Sequence, residues 1–294
     1  MKEFTFAFLL SSSYFQFMHW QTSRRTLTLD RPLVMGILNV TPDSFSDGGE
    51  FDDIDAAVAH AERMIGDGAD IIDIGGESTR PGSSLVDADT EITRVVPVIE
   101  RIVEHFDIPI SIDTTKAPVT EAAIAAGAEI INDISGLRWD ERIADIAART
   151  GAGLVLMHSR GEFETMHSGP PVDDILDEVT TCLRRSIDAA KQHGVKDEQI
   201  ALDVGIGFGK TFAQNLELLA KLDQIVDHFA PFPALVGTSR KSFIGRILGG
   251  APTDQRLGGS LATAVIAAQK GGKILRVHDV KETVAVLKVL SALQ

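Results

Sequence analysis

Apolar residues run along this chain in two alternating rhythms. Over residues 52–67 (DDIDAAVAHAERMIGD), Ile54, Ala57, Val58, Ala61, Met64 and Ile65 keep the three-and-four spacing of one helix face. ADIIDIGGESTRPG follows, a short apolar run that opens into a polar, glycine-bearing junction. The alternation then repeats. Helical EITRVVPVIERIVEHF precedes IPISIDTTK, a helix over 117–126 precedes AEIINDISG, and ERIADIAART precedes GLVLMHSRG. A helix over 173–193 precedes QIALDVGIGFGKT, and helical NLELLAKLDQIV precedes PALVGTSRKSF. A helix from about 255 to 270 precedes KILRVHDV, and a last helix spans 281–292.

With the opening run LVMGILN at 33–39, roughly eight strand-like runs alternate with helices, the order of an α/β fold closed as a (β/α)8 TIM barrel. The runs are continuously apolar, as parallel strands covered on both faces should be. Residues 19–30 alternate polar and apolar positions, a short N-terminal hairpin plugging one end of the barrel. No linker or low-complexity stretch divides residues 18–294, which read as one domain. Residues 1–17 read as an N-terminal extension. Lys2 lies beside Glu3, serines break the apolar stretch, and no small-residue cleavage site follows, unlike a secretory leader; the stretch is also too short to span a membrane.

The polar residues just past each apolar run are unusual for strand ends. They are Asn39; Asp73 with Glu77, Ser78, Thr79 and Arg80; Asp113; Asn132 and Asp133; Met157 and His158; Asp203; Ser239, Arg240 and Lys241; and Arg276 with His278. A barrel gathers all of these on its C-terminal rim, where barrel enzymes hold their sites. One such charge is explained by a structural ion pair, because buried charge is costly unless paired or used. A full ring of them points to a site. Asp113, Asn132, Asp203 and Lys241 come from different strands and offer carboxylate acceptors, an amide and an ammonium in an apolar wall. That set suits a flat heterocycle with an amino-pyrimidinone edge. Phosphate donors lie after the last two strands, in SRKS at 239–242 and RVH at 276–278, each leading into a helix start. The competing reading of Arg276 and His278 is a surface basic pair capping the final helix.

Composition narrows the classes. A net charge of −14 over 294 residues excludes nonspecific nucleic-acid binding, which needs a basic surface. The one cysteine, Cys182, precludes an internal disulfide and fits a reducing, cytoplasmic setting. DVGIGFGKT at 203–211 is neither kind of nucleotide loop: position 204 is valine, so the P-loop spacing fails, and position 210 is lysine where a dinucleotide fingerprint needs its third glycine. Its glycines fit a backbone turning tightly beside a ligand. His60, His105, His193 and His228 lie in helical segments, and no His/Cys cluster of the zinc kind is evident. Magnesium needs only an oxygen or two beside substrate phosphates, and Asn39 is the candidate donor.

MGILNVTPDSFSDGG, DIGGESTRPG, ISIDTTKA, INDISG, LMHSRG, DVGIGFGKT, VGTSRKSFIG and RVHDV, in this order, resemble the dihydropteroate synthase family of pterin-binding enzymes. The resemblance runs from about residue 33 to the C-terminus. It implies a transferase that condenses 6-hydroxymethyl-7,8-dihydropterin diphosphate with 4-aminobenzoate, giving dihydropteroate and diphosphate. Carried over by position, Asp113, Asn132, Asp203 and Lys241 hold the pterin, with Met157 packed nearby. Arg276 covers the ring and reaches the diphosphate with His278 and Asn39, and Asn39 touches Mg2+. Thr79, Arg80, Ser239 and Phe208 line the 4-aminobenzoate side, and Phe45 and Pro81 come from two closing loops, with Asp47 a weaker candidate. The resemblance also implies a cytoplasmic homodimer. Val204 stands where proline is more usual, Thr115 where tyrosine or threonine occurs, and SRGEFET after His158 departs from the family; none removes a pocket residue. Two other readings share the barrel: a pterin-binding methyltransferase, which has no use for SRKS, STRPG and RVHDV, and a weakly active paralogue acting as a binding partner.

Overall fold

A computed structural model describes residues 18–41, 50–79, 82–163, 165–166 and 171–293. Eight apolar runs form the strands β3 (Leu33–Asn39), β4 (Ile71–Gly75), β5 (Ile110–Asp113), β6 (Ile130–Asp133), β7 (Gly153–Met157), β8 (Ile200–Asp203), β9 (Ala234–Val236) and β10 (Gly272–Val277). They pair in parallel, each with its neighbour in sequence, and β10 closes the ring against β3. Before them, β1 (His19–Gln21) and β2 (Thr26–Thr28) form a two-stranded antiparallel hairpin. Around the ring lie α1 (Glu50–Gly66), α2 (Ala88–His105), α3 (Ala117–Ala126), α4 (Arg142–Thr150), α5 (Ile175–Gln192), α6 (Phe212–Ala220), α7 (Leu222–His228), α8 (Ser242–Ile247), α9 (Leu257–Gln269) and α10 (Val280–Ala292). The barrel and its plugging hairpin are thus as the pattern predicts.

Two apolar layers hold this together. The larger lies between sheet and helices and includes Ile72, Ile74, Val98, Ile99, Ile112 and Leu202. The smaller fills the barrel: Leu33, Met35, Ile71, Ile130, Val155, Ala201, Leu235 and Ile274 pack on one another, with Trp20 and Leu29 of the hairpin closing the end. Trp20 is wholly buried, and its indole N–H donates to the Gln199 carbonyl at 2.7 Å. Buried Glu129 ties the hairpin down by accepting from Thr22 Oγ1 at 2.8 Å and Arg25 Nη2 at 2.7 Å.

Strand side chains alternate between faces, so the residue two places beyond each interior residue also points inward. From the apolar layer this step leads to Ile37, Asp73, Asn132, Met157, Asp203, Gly237 and Arg276. A polar storey therefore stands on the apolar one, at the C-terminal mouth.

One element differs from expectation. NLELLAKLDQIV forms two helices, because Lys221 leaves the helical conformation (φ −115°, ψ 22°) and ends α6 while starting α7. Residues 1–17 lie outside the described residues. Among those described, no helix is long and apolar enough to cross a membrane.

Candidate active site

Arg276 is the hub of the mouth. Its Nε donates to Asp73 Oδ2 and its Nη2 to Asp113 Oδ2, each at 2.6 Å. Asn132 Nδ2 donates to the same Asp73 oxygen at 3.2 Å. One guanidinium on β10, whose planar fork suits two carboxylates at once, thus joins β4 and β5, and Asn132 ties β6 to the same Asp73 oxygen. The two carboxylates hold Arg276 well above even the ordinary arginine value, against the opposing effect of burial. Burial pushes Asp113 up to about 7, opposed by Arg276 and reinforced by the neighbouring charge of Asp73. Asp73 Oδ1 and Ser111 Oγ, on paired positions of β4 and β5, are buried and have no hydrogen-bond partner among the described residues. Buried polar atoms left unpaired are costly, and these two lie side by side in the barrel interior beneath Arg276 and Asp113.

Asp203 and Lys241 form the second half. Burial raises the Asp203 pKa, opposed by Lys241 and by the Gly205 N–H, which donates to Asp203 Oδ1 at 2.7 Å. Burial lowers Lys241 to about 8, with Asp203 opposing. The Lys241 ammonium donates to the Ile206 carbonyl and lies 4.5 Å from the centroid of the Phe208 ring. Met157 packs with Ile134, Phe163 and Met166, and Trp139 and Phe208 border that cluster, giving the mouth an apolar wall.

The anion side is built between β9 and β10. His278 N–H donates to Ser239 Oγ at 3.2 Å, and His278 Nδ1 lies 3.0 Å from the same oxygen. Arg240, at positive φ (59°), is ion-paired with Asp279 and so fastens this junction. Arg276, held by Asp73 and Asp113, thus lies across the mouth, whereas His278 is tied to the junction after β9 directly before the last helix. Asn39 ends β3, half-buried, and pairs in register with Gly75, which in turn pairs with Asp113. Thr79 is half-buried in the junction after β4. Phe45, Asp47, Arg80 and Pro81 lie outside the described residues.

Two members of the polar ring serve structure. Asp133 turns away from the axis and accepts from Ser135 N, Ser135 Oγ and Leu137 N, shaping the turn after β6. Glu77 pairs with Lys116 at 3.0 Å, which also holds buried Glu91 at 2.6 Å. Two residues of the mouth escaped assignment. Asp73 was visible as a charge in the middle of an apolar strand, a placement that demands a partner. Lys210 is the other: its ammonium lies inside the loop after β8, where sequence gives no signal beyond the lysine itself.

The donor set fits magnesium in one way only. Asn39 supplies a neutral oxygen, so an ion there depends on substrate phosphates and water for its remaining ligands. The one His/Cys/Asp/Glu group among the described residues with ligand atoms close together is His158, Glu178 and Cys182, within 4.8 Å. It is a poor cation site. Lys210 occupies His158 Nδ1 at 2.7 Å, and with burial the charges of Lys210, Arg138 and Arg160 drive His158 down to about 2.

A parallel barrel whose mouth combines a half-buried arginine between two aspartates, a further aspartate and lysine, and a basic strand end suits a barrel enzyme for a flat polar ring carrying an anion. Residues 35–278 match the family model described as pterin binding enzyme. The chain is 52% identical to the dihydropteroate synthase of Clostridium beijerinckii over 86% of its own length and 91% of that protein. It is 48% identical to that of Escherichia coli strain K12, over 91% and 93% of the two chains. The structure of Xanthomonas albilineans dihydropteroate synthase with 4-aminobenzoic acid superposes with a TM-score of 0.88 at 46% identity, covering 95% of this chain and 98% of that one. The chain belongs to the pterin-binding enzyme family, and within it to the dihydropteroate synthases.

Proposed function

We propose that this dihydropteroate synthase works by gripping 6-hydroxymethyl-7,8-dihydropterin diphosphate in the barrel mouth and stabilising charge while 4-aminobenzoate displaces the diphosphate. The observation that carries this reading is the half-buried Arg276 shared by Asp73 and Asp113. It leaves a cation at the point where a polar ring and its anionic tail meet.

The Asp203 carboxylate accepts the adjacent N–H and NH2 of the pterin in parallel, and Lys241 donates to its carbonyl and ring nitrogen. Asn132 completes the polar edge, and Met157 packs against the ring. Arg276 covers the ring and, with His278, meets the diphosphate. The methylene C–O bond breaks, diphosphate leaves with the electron pair, and the electron-rich dihydropterin shares the resulting positive charge. Asp113, facing that ring, stabilises it. The neutral arylamine then forms the new C–N bond and loses its extra proton to water. No covalent enzyme nucleophile is needed. Phe208, Ser239 and Thr79 border the arylamine, with Phe45, Arg80 and Pro81 contributed by loops. The dihydropteroate, 4-aminobenzoate and sulfonamide named in relatives' structures agree with this pairing of ligands.

We include Mg2+ in this reading. Asn39 and the substrate phosphates would hold it, and when bound it neutralises the leaving group. We also propose a cytoplasmic homodimer. Half-exposed Ile247 and Ile266, on α8 and α9, and well-exposed Val289 on α10 are large apolar groups on successive helices, a surface suited to a second copy. The function is tested by following diphosphate release with and without 4-aminobenzoate. Release that requires the amine and matches dihydropteroate one for one supports it; release indifferent to the amine overturns it.

A further inference from the structure

The loop 204–211 between β8 and α6 has an ammonium at its centre. Lys210 Nζ donates to the Gly205 carbonyl at 2.7 Å, the Phe208 carbonyl at 2.9 Å and the His158 carbonyl at 3.3 Å, and lies 2.7 Å from His158 Nδ1. Four acceptors thus surround three ammonium hydrogens, so the group is fully engaged. The loop is drawn tightly around it. Gly205 takes φ +66°, and a Cβ there would stand 1.8 Å from the His158 carbonyl oxygen, so no side chain is tolerated. Gly207 and Gly209 are also left-handed (φ +89° and +65°). Asn215 Oδ1 accepts from Gly207 N at 2.6 Å, and Arg160 Nη1 donates to the Gly209 carbonyl at 3.2 Å, pinning the outer side.

What this wrapped loop presents on its other side is the Ile206 carbonyl, which accepts from Lys241, and the Phe208 ring beneath the same ammonium. A loop with three left-handed glycines has no preference for this shape on its own, since glycine visits many conformations freely. We infer that Lys210 is a positioning residue for catalysis: its ammonium, in the place a bound cation would take, gathers the carbonyls of residues 158, 205 and 208 so that Ile206 and Phe208 set Lys241 against the substrates. Lys210 itself touches neither substrate. Burial pulls its pKa well below the ordinary lysine value, while Asp203 acts in the opposite sense.

The inference rests on the substrate roles of Lys241 and Phe208 proposed above. Kinetics of Lys241→Met and Phe208→Ala test those roles, and Lys210 variants test this one. In Lys210→Ala the account expects a folded protein whose kcat/KM for 4-aminobenzoate drops by about thirtyfold or more, with most of the change in KM. Methylammonium, small enough for the vacated ring of carbonyls, should restore about fivefold, and tetramethylammonium at equal ionic strength should not. Activity within about threefold of the unaltered enzyme overturns the inference. So does a loss, in a folded variant, that methylammonium leaves unchanged. If Lys210→Ala does not fold, His158→Ala keeps the ammonium and three carbonyls but removes the imidazole anchor. A rise of about threefold or more in KM for 4-aminobenzoate is then expected, and an unchanged KM overturns the inference.

Discussion

Arg276 and Asp113 meet across the barrel mouth at 2.6 Å although their strands, β10 and β5, are not neighbours in the sheet. The same guanidinium also reaches Asp73, which is fully buried. Removing it therefore strands carboxylates in a low-dielectric wall. Arg276→Met should lower the free energy of unfolding by about 3–5 kcal/mol. Urea denaturation followed by circular dichroism measures this, and adding Asp73→Asn to the variant should recover part of the loss.

Asp113→Asn keeps the shape of the site but removes the charge facing the dihydropterin. Turnover should fall by about a hundredfold or more, while pterin affinity changes by less than about tenfold. Steady-state kinetics beside calorimetric titration of the pterin separates the two. Equal losses in both would take the charge-stabilising role away from Asp113.

The two ionisations bracket a narrow optimum. Asp113, raised to about 7, must lose its proton to act, and Lys241, lowered to about 8, must keep its own. The log of kcat/KM should rise as pH passes 7 and fall beyond 8, a bell reporting the free enzyme. Asp113→Asn should abolish the acid limb and leave the alkaline one. A flat profile between pH 6 and 9 would contradict both assignments (about one pH unit beyond each value).

At the opposite end of the barrel, substitutions should cost stability and spare chemistry. Trp20 is wholly buried against the interior layer, so Trp20→Ala should destabilise by about 3–5 kcal/mol. Turnover of the folded fraction below its melting temperature should stay within about twofold.

Asn39 is the neutral donor proposed for Mg2+. Chelation by EDTA should depress activity reversibly, and Asn39→Ala should raise the Mg2+ concentration needed for half-maximal rate by about tenfold. A metal titration of initial rates measures both.

The barrel was legible because its strands are continuous apolar runs and its helices carry a clean period. Asp113, Asn132, Asp203, Lys241, Arg276 and His278 were legible because polar residues at the ends of such runs must share one rim. The break at Lys221 was not, since neither glycine nor proline marks it and it depends on how α6 and α7 pack. Asp73 was read as one more rim residue, because its partner Arg276 lies 203 positions away in sequence and only closure of the barrel joins them. Lys210 carried a misleading context: in the sequence it counted against a nucleotide loop, whereas its role depends on carbonyls whose directions no residue type discloses.

Pterin recognition by Asp203 is the claim on which the chemistry stands, and calorimetric titration with 6-hydroxymethylpterin diphosphate tests it most directly. Asp203→Asn, if its thermal unfolding stays cooperative, should bind the pterin about a hundredfold more weakly, because an amide cannot accept two parallel N–H donors. An affinity within about threefold of the unaltered chain would contradict the account.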